Sequence, residues 1–287
     1  MTNVINIACT NVSFLLLCMM KTLERLKIMN KYTIYNKNSS SPIIVSLPHS
    51  GTFVPDDIRK KFNEDIVLDS TDWFLPELYD FIKVIGLTMI VNNLNRYVID
   101  VNRKIDRKDT LSYKTNLVFH KNSHGSLIYK HDLSRKDIEE RIKFYYEPYH
   151  NALKNLIDDK LKKFKTVYLI DLHSYYLADE DNDKVLISNN KGLSSSKESF
   201  DLICSEFINE GFNVLRNEIF TGGHITKSYS EKYKGKVNCI QVELPYRIYI
   251  EDREFFEEEV KVYNEELFNK CQDKLNKIFA GINSYII

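Results

Sequence analysis

At 287 residues the chain is long enough for one large α/β domain or two small ones, and it can bury a sizeable core. Basic and acidic residues balance at 40 each with no block of like charge, which argues against nucleic acid or an anionic membrane as partner and for a small or zwitterionic molecule. The five cysteines are odd in number, scattered and without CxxC spacing; neither a disulfide framework nor a thiolate zinc site is indicated, and a reducing cytoplasm is the expected compartment.

Taken in chain order, residues Ile5 to Met20 include the apolar run SFLLLCMM, which is too short to span a bilayer and lacks the preceding basic residue of a signal peptide. Residues 1–28 are therefore expected to be a leader outside the fold, with one domain over 29–287. YTIYN and PIIVSL read as strands, and Pro48 stops the second. DSTDWFLPELYDFIKVIG has helical periodicity in Leu75, Leu78, Tyr79 and Ile82, with Ser70 or Thr71 as cap and Gly86 as terminator. LTMIVNN and RYVIDVN follow as strands. A capping pattern at Ser134 opens a helix that Pro148 should kink. KTVYLIDLH is a buried strand, SFDLICSEFINEGF a helix ending at Gly211, TGGHITKSY a loop, KVNCIQVELP a strand, and the stretch from Arg253 to Ile282 a long C-terminal helix. Strands alternating with helices predict one three-layer α/β/α domain with a mostly parallel mixed sheet.

In such sheets function collects outside the carboxyl ends of the strands. Three apolar strands end there in chemically useful groups: the first at His49, the second at His173, and the third carries Glu243 just before Pro245. Two imidazoles and a carboxylate form a standard ligand set for catalytic zinc, with a fourth position left for water. The small residues Ser50, Gly51 and Thr52 after His49 would leave room for the ion.

The ordered motifs SLPHSGTFVP, DSTDWFLPELY, NRYVIDVNR, LIDLHS, GGHITKSY and CIQVELPYRIYI resemble those of the N-formylglutamate amidohydrolases, relatives of the zinc carboxypeptidases and aspartoacylases, over residues 42–275. The resemblance implies a phosphorylase/hydrolase-like, zinc carboxypeptidase-like fold and metal-dependent cleavage of an N-formyl or N-acyl amide from an amino acid such as N-formyl-L-glutamate. It makes His49 and His173 ligands of one Zn2+ or other divalent ion. Carboxypeptidase-like relatives place a glutamate three residues after the first histidine, but Thr52 stands there, so the third ligand is Asp72 or, failing that, Asp69. Glu243 resembles the family's general base, the alternative being an ion pair with Arg247. Arg96 suits the tetrahedral oxyanion. Asn102 and Arg103 match the pair with which the carboxypeptidase-like group holds a substrate carboxylate, and a guanidinium fork meets a carboxylate in two parallel hydrogen bonds. His224 would touch substrate or metal, and Arg247 would meet a side-chain carboxylate.

Asp171, two residues before His173, lies on the same side of its strand and could orient that ring, while Asp100 sits beside Asn102. His120, His124, His131 and His150 have no ligand spacing and read as surface or rim residues; Tyr145, Tyr146 and Tyr149 read as core. No GxGxxG or P-loop supports a nucleotide cofactor. Two other readings keep the fold: a non-catalytic binding protein for acylated amino acids, suggested by Thr52, and an amidase for a different acyl group.

Overall fold

Seven strands form one mixed sheet in the order β1-β3-β2-β4-β7-β5-β6. They are β1 (Tyr32–Tyr35), β2 (Ile43–Leu47), β3 (Thr88–Asn92), β4 (Val167–Tyr175), β5 (Val185–Ser188), β6 (Val214–Arg216) and β7 (Val237–Pro245). The structure, a computed structural model, describes residues 31–105, 116–177, 183–255 and 258–287, so the expected leader at 1–28 lies outside the described residues. Tyr32–Ile287 form one compact unit. β3, β2, β4 and β7 run parallel; β1 pairs antiparallel with β3, and β5 antiparallel with β7.

Both faces of the central strands are covered, which explains their unbroken apolar runs. On one face Val45, Met89, Ile170 and Val242 pack against α2 (Leu75–Leu78), α3 (Phe81–Val84), α6 (Lys197–Asn209) and α8 (Glu265–Ile286). On the other, Ile44, Ile90, Leu169 and Cys239 meet α1 (Asp56–Arg59), α5 (Glu147–Leu161) and α7 (His224–Tyr233). The three-layer α/β/α architecture is thus present.

Several elements differ from the sequence reading, each for a local reason. RYVIDVN is buried but is not a strand. Asn95 and Asp100 side chains accept from the backbone N–H of Tyr97 and Asn102, bending the chain into turns. Three of its carbonyls are taken by side chains from elsewhere, Tyr97 O by Tyr129, Val98 O by Arg141 and Val101 O by His150, and the next one, Arg103 O, by Tyr146. With those acceptors satisfied, no ladder is needed. β5 and β6 are strands of four and three residues, too short to stand out in a linear pattern. The expected C-terminal helix begins only at Glu265, where the Asn264 side chain accepts from the N–H of Glu266 and Leu267. The expected helix after Asp69 is two single turns, α2 and α3.

The helix opening at Ser134 carries the full capping box with Asp137 over α4 (Arg135–Arg141). A π-helical turn at Ile142–Tyr146 then precedes Pro148, which is where the missing proline N–H disturbs the ladder. Gly51 has a different use from the one expected. A Cβ there would collide with the backbone of Asn93 and Leu94, and hydrogen bonds Phe53 N to Asn93 O (3.2 Å) and Asn95 N to Phe53 O (2.9 Å) hold the two segments together. The small residue permits this crossing and does not line the cavity around His49. Gly51→Ala is expected to destabilise the protein by about 1–3 kcal/mol, because neither backbone segment can yield; the midpoint of denaturant unfolding checks it.

Candidate metal centre

The face of the sheet under α5 and α7 changes character along its length. Val167 and Leu169 are followed on the same side of β4 by Asp171 and His173; Val237 and Cys239 are followed on β7 by Gln241 and Glu243; Ile44 is followed on β2 by Ser46. Register brings these together, since Ser46 pairs Asp171, Asp171 pairs Gln241 and His173 pairs Glu243. The carboxyl end of that face is therefore a polar platform above an apolar core. Its His173, Gln241 and Glu243 line a cavity of about 630 Å3.

His49, Asp72 and His173 meet on this platform, each buried, with one donor atom apiece within 4.8 Å of the others. Asp72 arrives from the loop before α2, fastened by its N–H to the His49 carbonyl at 3.1 Å. Its Oδ2 is 3.0 Å from His173 Nδ1 and 3.8 Å from His49 Nδ1. The two imidazoles sit side by side, centroids 4.7 Å apart. Asp69 is turned elsewhere, accepting from Tyr97, Ser70 and Ser123.

Each ring is braced from behind by a second carboxylate. His49 Nε2 donates to Asp100 Oδ1 at 2.6 Å, and His173 Nε2 lies 3.0 Å from Asp171 Oδ2 and 2.9 Å from Asn102 Nδ2. Asp100 also takes Arg96 (2.6 Å) and Arg103 (3.2 Å) on Oδ2. Burial opposes its charge, but Arg96, His49 and Arg103 outweigh that and hold the carboxyl well below its usual range. An ionised Asp100 can only accept, so the proton of His49 sits on Nε2 and the Nδ1 lone pair faces Asp72. Burial, then Arg96, keeps the His49 imidazole below its ordinary pKa and neutral. Asp171 is similarly engaged, accepting from Ser46 (2.7 Å) and from Asn102 Nδ2 (3.2 Å).

His173 behaves differently. Burial again opposes its charging, yet Asp171, Glu243 and Asp72 overcome burial and hold the imidazolium well above the usual range. A proton held on Nδ1 by surrounding carboxylates occupies a place that suits a divalent cation, whose binding would release it. Two imidazole Nδ1 atoms and a carboxylate oxygen, each ring fixed by an outer carboxylate, form a donor set that fits such an ion.

Glu243 stands beside this group. Burial raises its carboxyl to about 8, Asp72 and Asp171 adding to the rise while His173 and Arg96 offset it. Gln241 Nε2 donates to Glu243 Oε1 at 2.8 Å, and Gln241 Oε1 accepts from Gly223 N–H at 2.6 Å. A carboxyl that changes protonation near neutrality, next to a cation site, is equipped to move protons.

The N-formylglutamate amidohydrolase family model matches residues 41–250, a span containing every one of these side chains. The chain belongs to that family. It is 28% identical to the N-formylglutamate deformylase of Pseudomonas putida over 254 residues, covering 84% of this chain and 92% of that protein. The Pseudomonas aeruginosa N-formylglutamate deformylase is 28% identical over 230 residues, covering 76% and 85%. In fold it resembles the crystal structure of N-formylglutamate amidohydrolase from Ralstonia eutropha JMP134, with a TM-score of 0.73 and 21% identity over 89% of this chain and 98% of that one.

Within this member of the family, the cavity gathers His49, Asp72, Arg96, Asn102, Arg103 and His173, with Glu243 among them. The Asn102 amide is used internally: Oδ1 accepts from Ile225 N–H (2.8 Å) and Nδ2 reaches Asp171. Two expected members lie elsewhere. His224 is the first residue of α7, not part of a loop, and its ring lines a separate cavity. Its N–H and that of Ile225 are capped by Asn102, and Gly223 is glycine because a Cβ would strike the Asn102 side chain. Arg247 does not line the cavity; it pairs with Asp252 at 2.9 Å. His150, read from sequence as surface or rim, is largely enclosed and donates from Nε2 to Val101 O at 2.8 Å.

Sequence reasoning missed Asp100 as the partner of His49, Gln241 as the partner of Glu243, and the wall made by Ile219 and Phe220. For Gln241 a signal existed, since it precedes Glu243 by two in the strand as Asp171 precedes His173. Ile219 left none: it lines the cavity from a left-handed backbone, φ 58°, which β-branched residues rarely adopt and which tends to occur at functional sites.

Proposed function

We propose that this chain is a zinc-dependent amidohydrolase of linear amides, converting an N-formyl amino acid such as N-formyl-L-glutamate to formate and the free amino acid. The observation that carries this reading is the buried His49–Asp72–His173 cluster beside Glu243, in a chain of this family. His49, Asp72 and His173 would hold one divalent ion, Zn2+ by their donor chemistry, though the same donors accept other first-row metals. Bound there, the ion supplies Lewis acidity that polarises the amide carbonyl and makes water a nucleophile near neutral pH.

The remaining work falls to the chain's own residues. Glu243, ionised, would take the proton from the attacking water and hand it to the leaving amine nitrogen; its elevated pKa suits both directions of transfer. Gln241 holds that carboxyl in line with Gly223. Arg96 would stabilise the oxyanion, and Arg103 would receive the substrate carboxylate. Arg96 and Arg103 both pair with Asp100. Asn102, with its amide committed to Ile225 and Asp171, would act by holding Arg103 and His173 in place. Tyr175, Tyr176, Phe220 and Tyr246 add aromatic surface to the cavity lining and help to exclude water.

The non-catalytic reading rested on Thr52, which is exposed and outside the cavity; Asp72 brings a carboxylate to the two histidines from another loop. We place the domain at 29–287 and the activity in the reducing cytoplasm, in keeping with the buried free thiols of Cys204, Cys239 and Cys271. No helix among the described residues is long and apolar enough to cross a membrane. The test is metal content by mass spectrometry together with formate release from N-formyl-L-glutamate before and after chelation. About one metal per chain and chelator-sensitive formate release are expected. Protein that takes up no metal on reconstitution, or that releases formate equally after chelation, would overturn the proposal.

A further inference from the structure

A second cavity, of about 410 Å3, adjoins the first. The chain passes directly from one lining to the other at two points: Asn102 and Arg103 face the first cavity while Lys104 and Ile105 face the second, and Gly223 faces the first while His224 faces the second. Lys104, Lys154, Lys232, His150 and His224 all line it, and no aspartate or glutamate does among the described residues. In a chain whose charges balance at 40 and 40, three lysines around one hollow make a concentrated positive field. Lys154 is matched by Asp158 at 2.5 Å, and Lys232 is near enough to Asp158 to help lower its pKa, but neither Lys104 nor Lys232 forms an ion pair among the described residues.

The wall behind the ammonium groups is aromatic and rigid. Tyr146 and His150 rings lie 4.2 Å apart, and His150 stacks within 7° of parallel on Tyr229. His150 is fixed by Val101 O and Tyr229 OH, and burial pushes its pKa down to about 4, so it stays neutral. The hollow far exceeds a single inorganic ion in size. Its two open cations and flat aromatic wall match an acid group carried on a small organic body.

We propose that this cavity binds a small organic oxyanion, a carboxylate or a phosphate, between Lys104, Lys232 and His224, and that its occupancy is coupled to the candidate metal centre through Asn102 and Arg103. The coupling has a physical route. Asn102 accepts the first N–H groups of α7, the helix that carries His224 and Lys232, at 3.1 and 2.8 Å; it also donates to Asp171, the brace of His173. Drawing Lys104 toward Lys232 shifts the residue next to Arg103. Any effect on substrate affinity must be mirrored in anion affinity.

The experiment is titration calorimetry of the full-length, metal-loaded protein with phosphate and, separately, benzoate, alongside the exposed double variant Lys104→Gln/Lys232→Gln. Saturable binding of at least one probe at millimolar concentration, weakened at least tenfold in the variant and accompanied by shifts of the His224 ring resonances, is expected. Phosphate alone would identify a phosphate ligand, benzoate alone a carboxylate. Heats unchanged in the variant, heats abolished by chelating the metal, or no saturable heat with either probe would overturn the site. The binding arm requires no turnover, so its failure is distinct from failure of the hydrolase reading. The coupling half does rest on that reading: a saturating probe should change KM for the formyl substrate at least twofold in wild type and not in the variant, and an unchanged KM in wild type would overturn it.

Discussion

Glu243→Gln is expected to lower kcat/KM by about 10²–10⁴-fold while leaving metal stoichiometry unchanged, because it removes a proton carrier and no ligand. The amide is isosteric and can still pair with Gln241, so the fold should be retained. A second readout follows from the burial of this carboxyl. In metal-free protein its pKa is about 8 against an ordinary 4.5, so the folded state binds the proton more tightly than the unfolded state. Its contribution to stability is therefore fully present below about pH 4, declines as pH rises, and is lost above about pH 8. Gln cannot ionise, so the variant should be more stable than wild type at alkaline pH, the gap closing under acid. Activity within tenfold of wild type would remove Glu243 from the proposed mechanism, and parallel stability profiles would remove the account of its environment.

His49→Ala is expected to abolish both metal retention and turnover. Loss of an outer-sphere partner alone typically weakens a metal by 10–100-fold, so removing a ligand should exceed about 100-fold. The substitution also leaves Asp100 short of one of its four cationic or donating partners, His49, Arg96, Arg103 and the Asn102 N–H, and Asp72 with one imidazole. Metal analysis after gel filtration, set beside formate release, checks it. Full stoichiometry in the variant would show that His49 is not a ligand.

How much of this was readable in one dimension depends on the physics of each piece. The apolar cores of β2, β4 and β7 were evident because strands buried on both faces need continuous apolar runs. The places where those runs end in His49, His173 and Glu243 were evident for the same reason, and Asp72 entered through the resemblance of its motif. Short β5 and β6 carried too few residues to register. RYVIDVN carries strand-like residues and yet forms turns, since carbonyls of Tyr97, Val98 and Val101 are satisfied by Tyr129, Arg141 and His150, far along the chain.

The sequence by itself determined the three-layer class, the family, and the three strand ends where chemistry collects. These follow from local composition, in which each strand's pattern states its own burial and each motif its own neighbours. Only the tertiary structure decided that Asp100 braces His49, that Asp72 and not Asp69 meets the histidines, that Asn102 spends its amide on α7, and that His224 and Arg247 face away from the cavity. The contacts His49–Asp100, Asp72–His173 and Asn102–Ile225 join residues 51, 101 and 123 apart. Their partners are selected by strand register and by the helix that crosses above, and neither is written in the neighbourhood of the residue concerned.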